Sequence, residues 1–202
     1  MAPFYRMKKM TARGAAIAAA FSVALLTQSA FAQESGIVQA ERLYQQTNYR
    51  AALGILKHQP QTPAVLFLSG RCSYYAGDFK QAVETLQKLV AVEPRNAAYQ
   101  NWLGKAWGRR AETANVFQAP GFASRAREAF ERAAALDSTH KEALEDLFQY
   151  YLEAPGLLGG GIDKAQRLLP QIKQADPAEY HTALAQIAEK KKDYGSAEAQ
   201  LR

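Results

Sequence analysis

The residues whose types could do chemistry are few and widely separated. His58, His140 and His181 stand far apart. There is no His-Glu-x-x-His, which would put two metal ligands on one helix face, and no Gly-x-Ser-x-Gly, which would expose a nucleophilic serine. Cys72 is the sole cysteine, which excludes an internal disulfide and leaves too few soft ligands for a structural zinc site. Glu142, Glu145 and Glu153 have the type needed for a general acid and base, but at helical spacing such carboxylates read as solvated charges. The run Gly159-Gly160-Gly161-Ile162-Asp163-Lys164 places glycines before a helix start, where backbone N–H groups can cradle phosphate. It lacks the Gly-Lys-Ser/Thr ending, so Asp163 is expected to cap the next helix while the glycines fold the loop back. No catalytic residue, metal or cofactor is assigned.

The charge balance excludes a second class of function. The 202 residues carry a formal charge of +6, with a pI near 9.4. Four of the 25 basic residues (Arg6, Lys8, Lys9, Arg13) and none of the 19 acidic ones precede Gln33, leaving 21 against 19. That near-neutral remainder disfavours nucleic acid as a partner. The basic start is followed by the apolar run at 14–26 and then by Ala30-Phe31-Ala32, the order of a cleavable export signal. Thirteen residues at about 1.5 Å each span roughly 20 Å, short of the ~30 Å hydrocarbon core, so no stable membrane span is expected. Cleavage is expected after Ala32, giving an extracytoplasmic chain, periplasmic or secreted.

The elements that must position any site are helices. Val65, Leu66, Leu68, Cys72 and Tyr75 recur every three to four residues, as do Val83, Leu86, Leu89 and Val90. Pro170 falls inside one apolar run and is expected to bend or interrupt that helix, at roughly 3 kcal/mol. Three turns repeat: Thr47-Asn48-Tyr49, Gly77-Asp78-Phe79 and Lys192-Asp193-Tyr194, each with Ala three residues after the aromatic. Asn or Asp at that place caps a helix, and Ala lets two helices approach.

These spacings resemble the tetratricopeptide repeat, a helix-turn-helix unit of about 34 residues. Leu66, Gly70, Gly77, Asp78, Phe79, Ala82, Leu86, Leu89 and Pro94 match it most fully, whereas Ser69 and Ser73 stand where the family has larger side chains. The resemblance implies an all-α, right-handed superhelical solenoid of about ten helices. After the signal at 1–32, the repeat domain spans 33–202 in units near 33–62, 63–96, 97–140, 141–177 and 178–202. Two units carry insertions of similar sequence, Ala119-Pro120-Gly121 and Ala154-Pro155-Gly156. Both are expected to join helix A to helix B through a turn with glycine at positive φ.

The family turns one face of each A helix toward a concave groove. Carried over, that face comprises Phe67, Arg71, Tyr74 and Tyr75, then Asn101, Lys105 and Arg109, then Glu142, Glu145, Gln149 and Glu153. It would run from aromatic and basic to acidic, suiting a protein or peptide of complementary charge. The Lys/Asn arrangement with which chaperone-binding members hold a terminal carboxylate is absent, since Phe67 and Arg71 occupy those places. Pro155, Gly156, Gly159, Gly160, Gly161 and Asp163 form a second place for a contact, because loops carry function on repeat scaffolds. Ala183, Leu184, Ile187, Tyr194, Ala197 and Leu201 would form an uncovered face, implying either a homo-oligomer through the last helix pair or a truncated longer array. The function expected is a non-enzymatic interaction adaptor or scaffold. The alternative is an accessory subunit or hydrolase-like enzyme using the Pro-Gly loops and groove carboxylates.

Overall fold

A computed structural model describes residues 36–201, side chains included up to 200. The expected signal segment and its cleavage site lie outside the described residues. The chain is a succession of antiparallel helices: α1 (36–45), α2 (Tyr49–Leu56), α3 (Pro63–Tyr75), α4 (Phe79–Val92), α5 (Ala97–Glu112), α6 (Ala119–Leu136), α7 (Lys141–Glu153), α8 (Ile162–Ala175), α9 (Pro177–Lys190) and α10 (Tyr194–Leu201), with a 3-10 turn at Gly156–Leu158. There is no strand among the described residues. Each helix packs on its chain neighbours, and α3, α5, α7 and α9 also touch in sequence order, so alternate helices form one layer.

Local chemistry sets the helix boundaries. Asn48, Asp78 and Asp193 each accept a hydrogen bond from a backbone N–H three residues on, at 3.4, 3.0 and 3.1 Å. The residues before them, Thr47, Gly77 and Lys192, share the left-handed conformation with φ of 58°, 82° and 63°. The repeated sequence signal is therefore one repeated turn. Thr62, Asn96 and Asp176 cap α3, α5 and α9, and His140 Nδ1 accepts from Ala143 N–H at the start of α7. That assigns His140 a capping role, while His58 and His181 are exposed.

Packing follows from small residues facing large ones. A Cβ at Gly70 would lie 2.7 Å from Leu86, and one at Gly104 would lie 2.6 Å from the Phe130 ring, so glycine lets each A helix settle against its B partner. Leu86 is fully buried, and burying such a side chain stabilises by roughly 1.5–3 kcal/mol. The apolar interior is in two parts. A large cluster runs from Leu66 to Ile187, and a smaller one joins Ala40, Ala52, Leu56, Val65, Leu68 and Cys72.

Four expectations are corrected. Pro120 and Gly121 lie within the first turn of α6, and neither Gly121 nor Gly156 has positive φ; the left-handed glycines nearby are Gly159 and Gly161. Asp163 does not cap α8: Gly161 occupies the cap position, and exposed Asp163 contributes only its charge to the first helical turn. Pro170 leaves α8 uninterrupted, because it sits on the exposed side where water can satisfy the freed carbonyl. Of the face expected to be uncovered at the C-terminus, Ala183 and Ile187 join the large core, Ala197 is buried and Leu184 is half-buried. Tyr194 alone among the described members of that set is widely exposed, and the Leu201 side chain lies outside the description.

Candidate interaction face

The layer made by the A helices is knitted together by side chains at equivalent places in successive units. At its N-terminal end an arginine is held among aromatic rings. Arg71 Nη2 donates to the Tyr44 hydroxyl at 2.6 Å, and its guanidinium carbon lies 4.3 Å from the Tyr44 ring centroid and 5.3 Å from those of Phe67 and Trp102. Phe67 packs on Tyr99 at 4.8 Å, and Tyr74 meets Trp102 edge-on at 5.6 Å. Tyr75 stacks on Tyr49 at 5.2 Å yet stays 47% exposed, which makes it the most open ring of the group. Cation–π contacts of this kind are attractive because the ring faces carry negative charge.

The centre is a half-buried polar knot. Lys105 Nζ lies 3.1 Å from an Asp146 carboxylate oxygen and 3.6 Å from Glu142, while Asn101 Nδ2 donates to Asp146 at 2.8 Å. Asn101 is fully buried, so it ties α5 to α7 and is not open to a partner. Burial pushes the Asp146 carboxyl above the usual aspartate range, and Lys105 and Asn101 offset part of that rise. Burial disfavours the Lys105 ammonium, but attraction and hydrogen bonding to Asp146, with help from Glu142, outweigh it and raise its pKa.

Toward the C-terminus, Gln149 Nε2 donates to Gln186 at 2.7 Å and Lys190 pairs with Glu153 at 2.8 Å, joining α7 to α9. Arg109 pairs with Glu112 and covers the Phe79 ring at 5.1 Å. Glu145 is exposed beside Glu179, whose pKa is raised by burial and then by repulsion from Glu145. The expected gradient from basic to acidic is thus largely neutralised by local pairs. Glu142 and Glu153 are committed to lysines.

Between α5, α6 and α7 the face opens into a cleft of about 440 Å³, within the range of ligand-binding clefts. Tyr74, Ala111, Ala123, Phe130, Tyr150 and Leu158 supply apolar wall, and Lys105, Arg109, Asp146, Gln149 and Glu153 lie around it. The cleft joins two sets of residues singled out separately in the sequence, since Pro155 from the loop lines it beside the helix positions. The loop is built to hold its shape. Gly159, Gly160 and Gly161 N–H groups donate to the carbonyls of Gly156, Pro155 and Tyr151, Lys164 Nζ donates to Gly159 O at 2.7 Å, and the Tyr150 hydroxyl donates to Leu158 O at 2.9 Å. Those three N–H groups are therefore occupied and offer no phosphate cradle.

Sequence reasoning missed Tyr44, Trp102 and Asp146. Trp102 and Asp146 stand at the register position of Leu68, which is a buried apolar residue; an acid in the same register was the available signal. Ser73 is fully buried with no hydrogen-bond partner for its hydroxyl among the described residues, beside a 250 Å³ cavity that the small Ser69 and Ser73 leave open. Cys72 is buried, and burial pushes its thiol up to about 11. No group of three or more His, Cys, Asp or Glu residues suited to a metal occurs among the described residues, and none of the described helices is long and apolar enough to cross a membrane.

No protein-family model matches the chain, and no curated protein matches it. Solved structures do. A thermophilic tetratricopeptide-repeat protein of Thermus thermophilus, TTC0263, superposes with a TM-score of 0.66 at 24% identity, over 83% of this chain and 87% of that one. MamA from Desulfovibrio magneticus RS-1 gives 0.63 at 18% identity, over 84% and 90%. YrrB, described as a tetratricopeptide-repeat protein with an unusual peptide-binding site, gives 0.56 at 16% identity, over 82% and 81%. At these identities the likeness concerns the backbone, and the fold of this chain is that of the tetratricopeptide-repeat solenoids.

Proposed function

We propose that this protein is an exported, non-enzymatic scaffold that holds a protein or peptide segment along its A-helix face. The observation that carries this reading is the 440 Å³ cleft, where aromatic walls and ordered charged groups meet on a rigid face. Side chains already fixed by their neighbours lose little freedom on binding, so contact energy is not spent on ordering them. Tyrosine and arginine, exposed here at Tyr75 and Arg109, are the types that dominate interface energetics. The peptide-binding site attributed to YrrB is consistent with such use of the fold.

The test is selection of peptides from a random displayed library on the chain, followed by affinity measurement on Tyr75→Ala/Arg109→Glu. Arg71→Glu would be a poorer probe, because that half-buried side chain is hydrogen-bonded to Tyr44 and its replacement would put an acid among the rings. We expect at least about a tenfold loss of affinity with unchanged helicity, the usual cost of removing interface anchors. Equal affinity of the variant for every selected peptide sinks the assignment of this face. Export is tested separately by N-terminal sequencing of the chain from the envelope fraction, with Gln33 expected first.

A further inference from the structure

The A helices run parallel, so the turns that follow them share one edge of the stack. The contacts bear this out. Glu153 and Lys190, the last residues of α7 and α9, pair at 2.8 Å; Pro155 lines the same cleft as Ala111 and Glu112; Arg109 covers Phe79 across the next junction. Seven large apolar or tyrosine side chains are widely exposed among the described residues, and five of them, Tyr75, Val116, Phe117, Leu157 and Tyr194, lie on this edge. Val116, Phe117 and Leu157 are the most open, at 79, 92 and 86%. They sit on two segments, 113–121 and 154–162, with no charged residue in either.

Backbone groups beside these tips are already satisfied. Phe117 and Gln118 N–H groups donate to Asn115 Oδ1, and the N–H groups of Gly159, Gly160 and Gly161 donate within their own loop. Those donors lose nothing when the tips leave water. Cations flank them. Lys191 and Lys192, in the next turn, are exposed and have no ion pair among the described residues; Arg50 and Lys80, the latter 4.0 Å from Glu84, are exposed at the starts of α2 and α4. Of the acids near this edge, Asp78, Glu112, Glu153 and Asp193 are each engaged by a helix N–H or a cation, and Asp163 is exposed in the first turn of α8. We propose that this edge is a peripheral docking surface for an anionic lipid bilayer. The apolar tips enter the headgroup boundary and the lysines face the phosphates, the two forces that together hold peripheral proteins on membranes.

The test is co-sedimentation of the full chain with vesicles, phosphatidylethanolamine plus phosphatidylglycerol against phosphatidylcholine alone. All samples carry Ala20→Glu and Leu25→Glu, so that the N-terminal apolar run does not itself enter the bilayer. Binding to the anionic vesicles is expected, and Phe117→Asp/Leu157→Asp should reduce it by about tenfold or more, because each exposed ring or alkyl group adds burial energy. Lys191→Glu/Lys192→Glu should weaken it less, and added salt should do the same. Both pairs are exposed, so helicity should be unchanged. Absence of binding to anionic vesicles overturns the proposal, as does binding that the Phe117/Leu157 variant retains in full. Concentration-dependent self-association that is lost in Phe117→Asp, without vesicle binding, would reassign the edge to contact between copies of this chain.

Discussion

Two segments of almost the same sequence, Ala119-Pro120-Gly121 and Ala154-Pro155-Gly156, adopt different structures. The first begins α6, and the second leaves α7 through an extended Ala154, with ψ of 140°, into a 3-10 turn. What precedes and follows the dipeptide decides the outcome. Upstream of the first, Asn115 gathers the N–H groups of Phe117 and Gln118 on its side chain and that of Ala119 on its carbonyl, so proline arrives in a first helical turn, where its missing N–H costs nothing. Helix formers then continue the turn. In the second, proline follows directly on a finished helix and forces its predecessor into extended backbone, after which three glycines stop any new helix until Ile162. A Pro-Gly pair thus has no fixed structural meaning; its distance from the last helix gives it one.

The difference can be broken at single positions. The largest effect is expected at Gly160, where an added Cβ would lie 1.8 Å from the Ala154 carbonyl oxygen. Gly160→Ala should cost about 3 kcal/mol in urea unfolding, the scale of a backbone clash that neighbours cannot relieve. In the other segment, Asn115→Ala should cost about 1 kcal/mol by removing the side-chain acceptor that holds the turn ahead of α6. Gly121→Ala should go the opposite way, stabilising by about 0.5–1 kcal/mol, because nothing lies within 4 Å of the new methyl group and the site is helical. A destabilising Gly121→Ala would mean that the two segments are more alike than the backbone indicates.

The last prediction concerns pH. Tyr151, whose carbonyl accepts from Gly161 and whose hydroxyl donates to Glu131 at 2.8 Å, has its pKa pushed up to about 12 by burial and then by that hydrogen bond. The unfolded chain loses this proton near pH 10 and the folded chain near 12. The contribution is therefore complete below about pH 10 and lost as pH rises toward about 12. Tyr151→Phe should flatten stability across that window, as read by unfolding at a series of alkaline pH values.

Much of the fold was legible because it rests on local chemistry. Asn48, Asp78 and Asp193 announced their turns by residue type, and Gly70 and Leu86, which meet in the structure, stood at the spacing of the repeat family. The A-helix face was read from the sequence as positions and not as partnerships. Lys105 was named without a partner, because Asp146, which holds it, lies in the next unit. Asn101 was assigned to the open face by its register in the repeat, yet it is fully buried and tied to α7 through Asp146. The Pro-Gly loop failed as a turn prediction because left-handed backbone moved from Gly156 to Gly159 and Gly161, where the chain must return to begin α8.

The division of the interior into two clusters has a kinetic consequence. The boundary runs along α3: Val65, Leu68 and Cys72 face the small cluster shared with α1 and α2, and Leu66 belongs to the large one. A helix that is wall to two rooms can lose one of them first, since sub-global openings follow such seams. Cys72 lies at this seam, with no other cysteine to compete and its thiolate suppressed by burial. Its alkylation rate is then a clock for the departure of the first helical pair, readable in the native chain without probes or substitutions. If that rate tracks global unfolding, the two rooms open together and the array behaves as one cooperative body. If it runs faster, the N-terminal pair detaches by itself, and a partner bound across Tyr44 and Arg71 would slow the clock by holding the door closed.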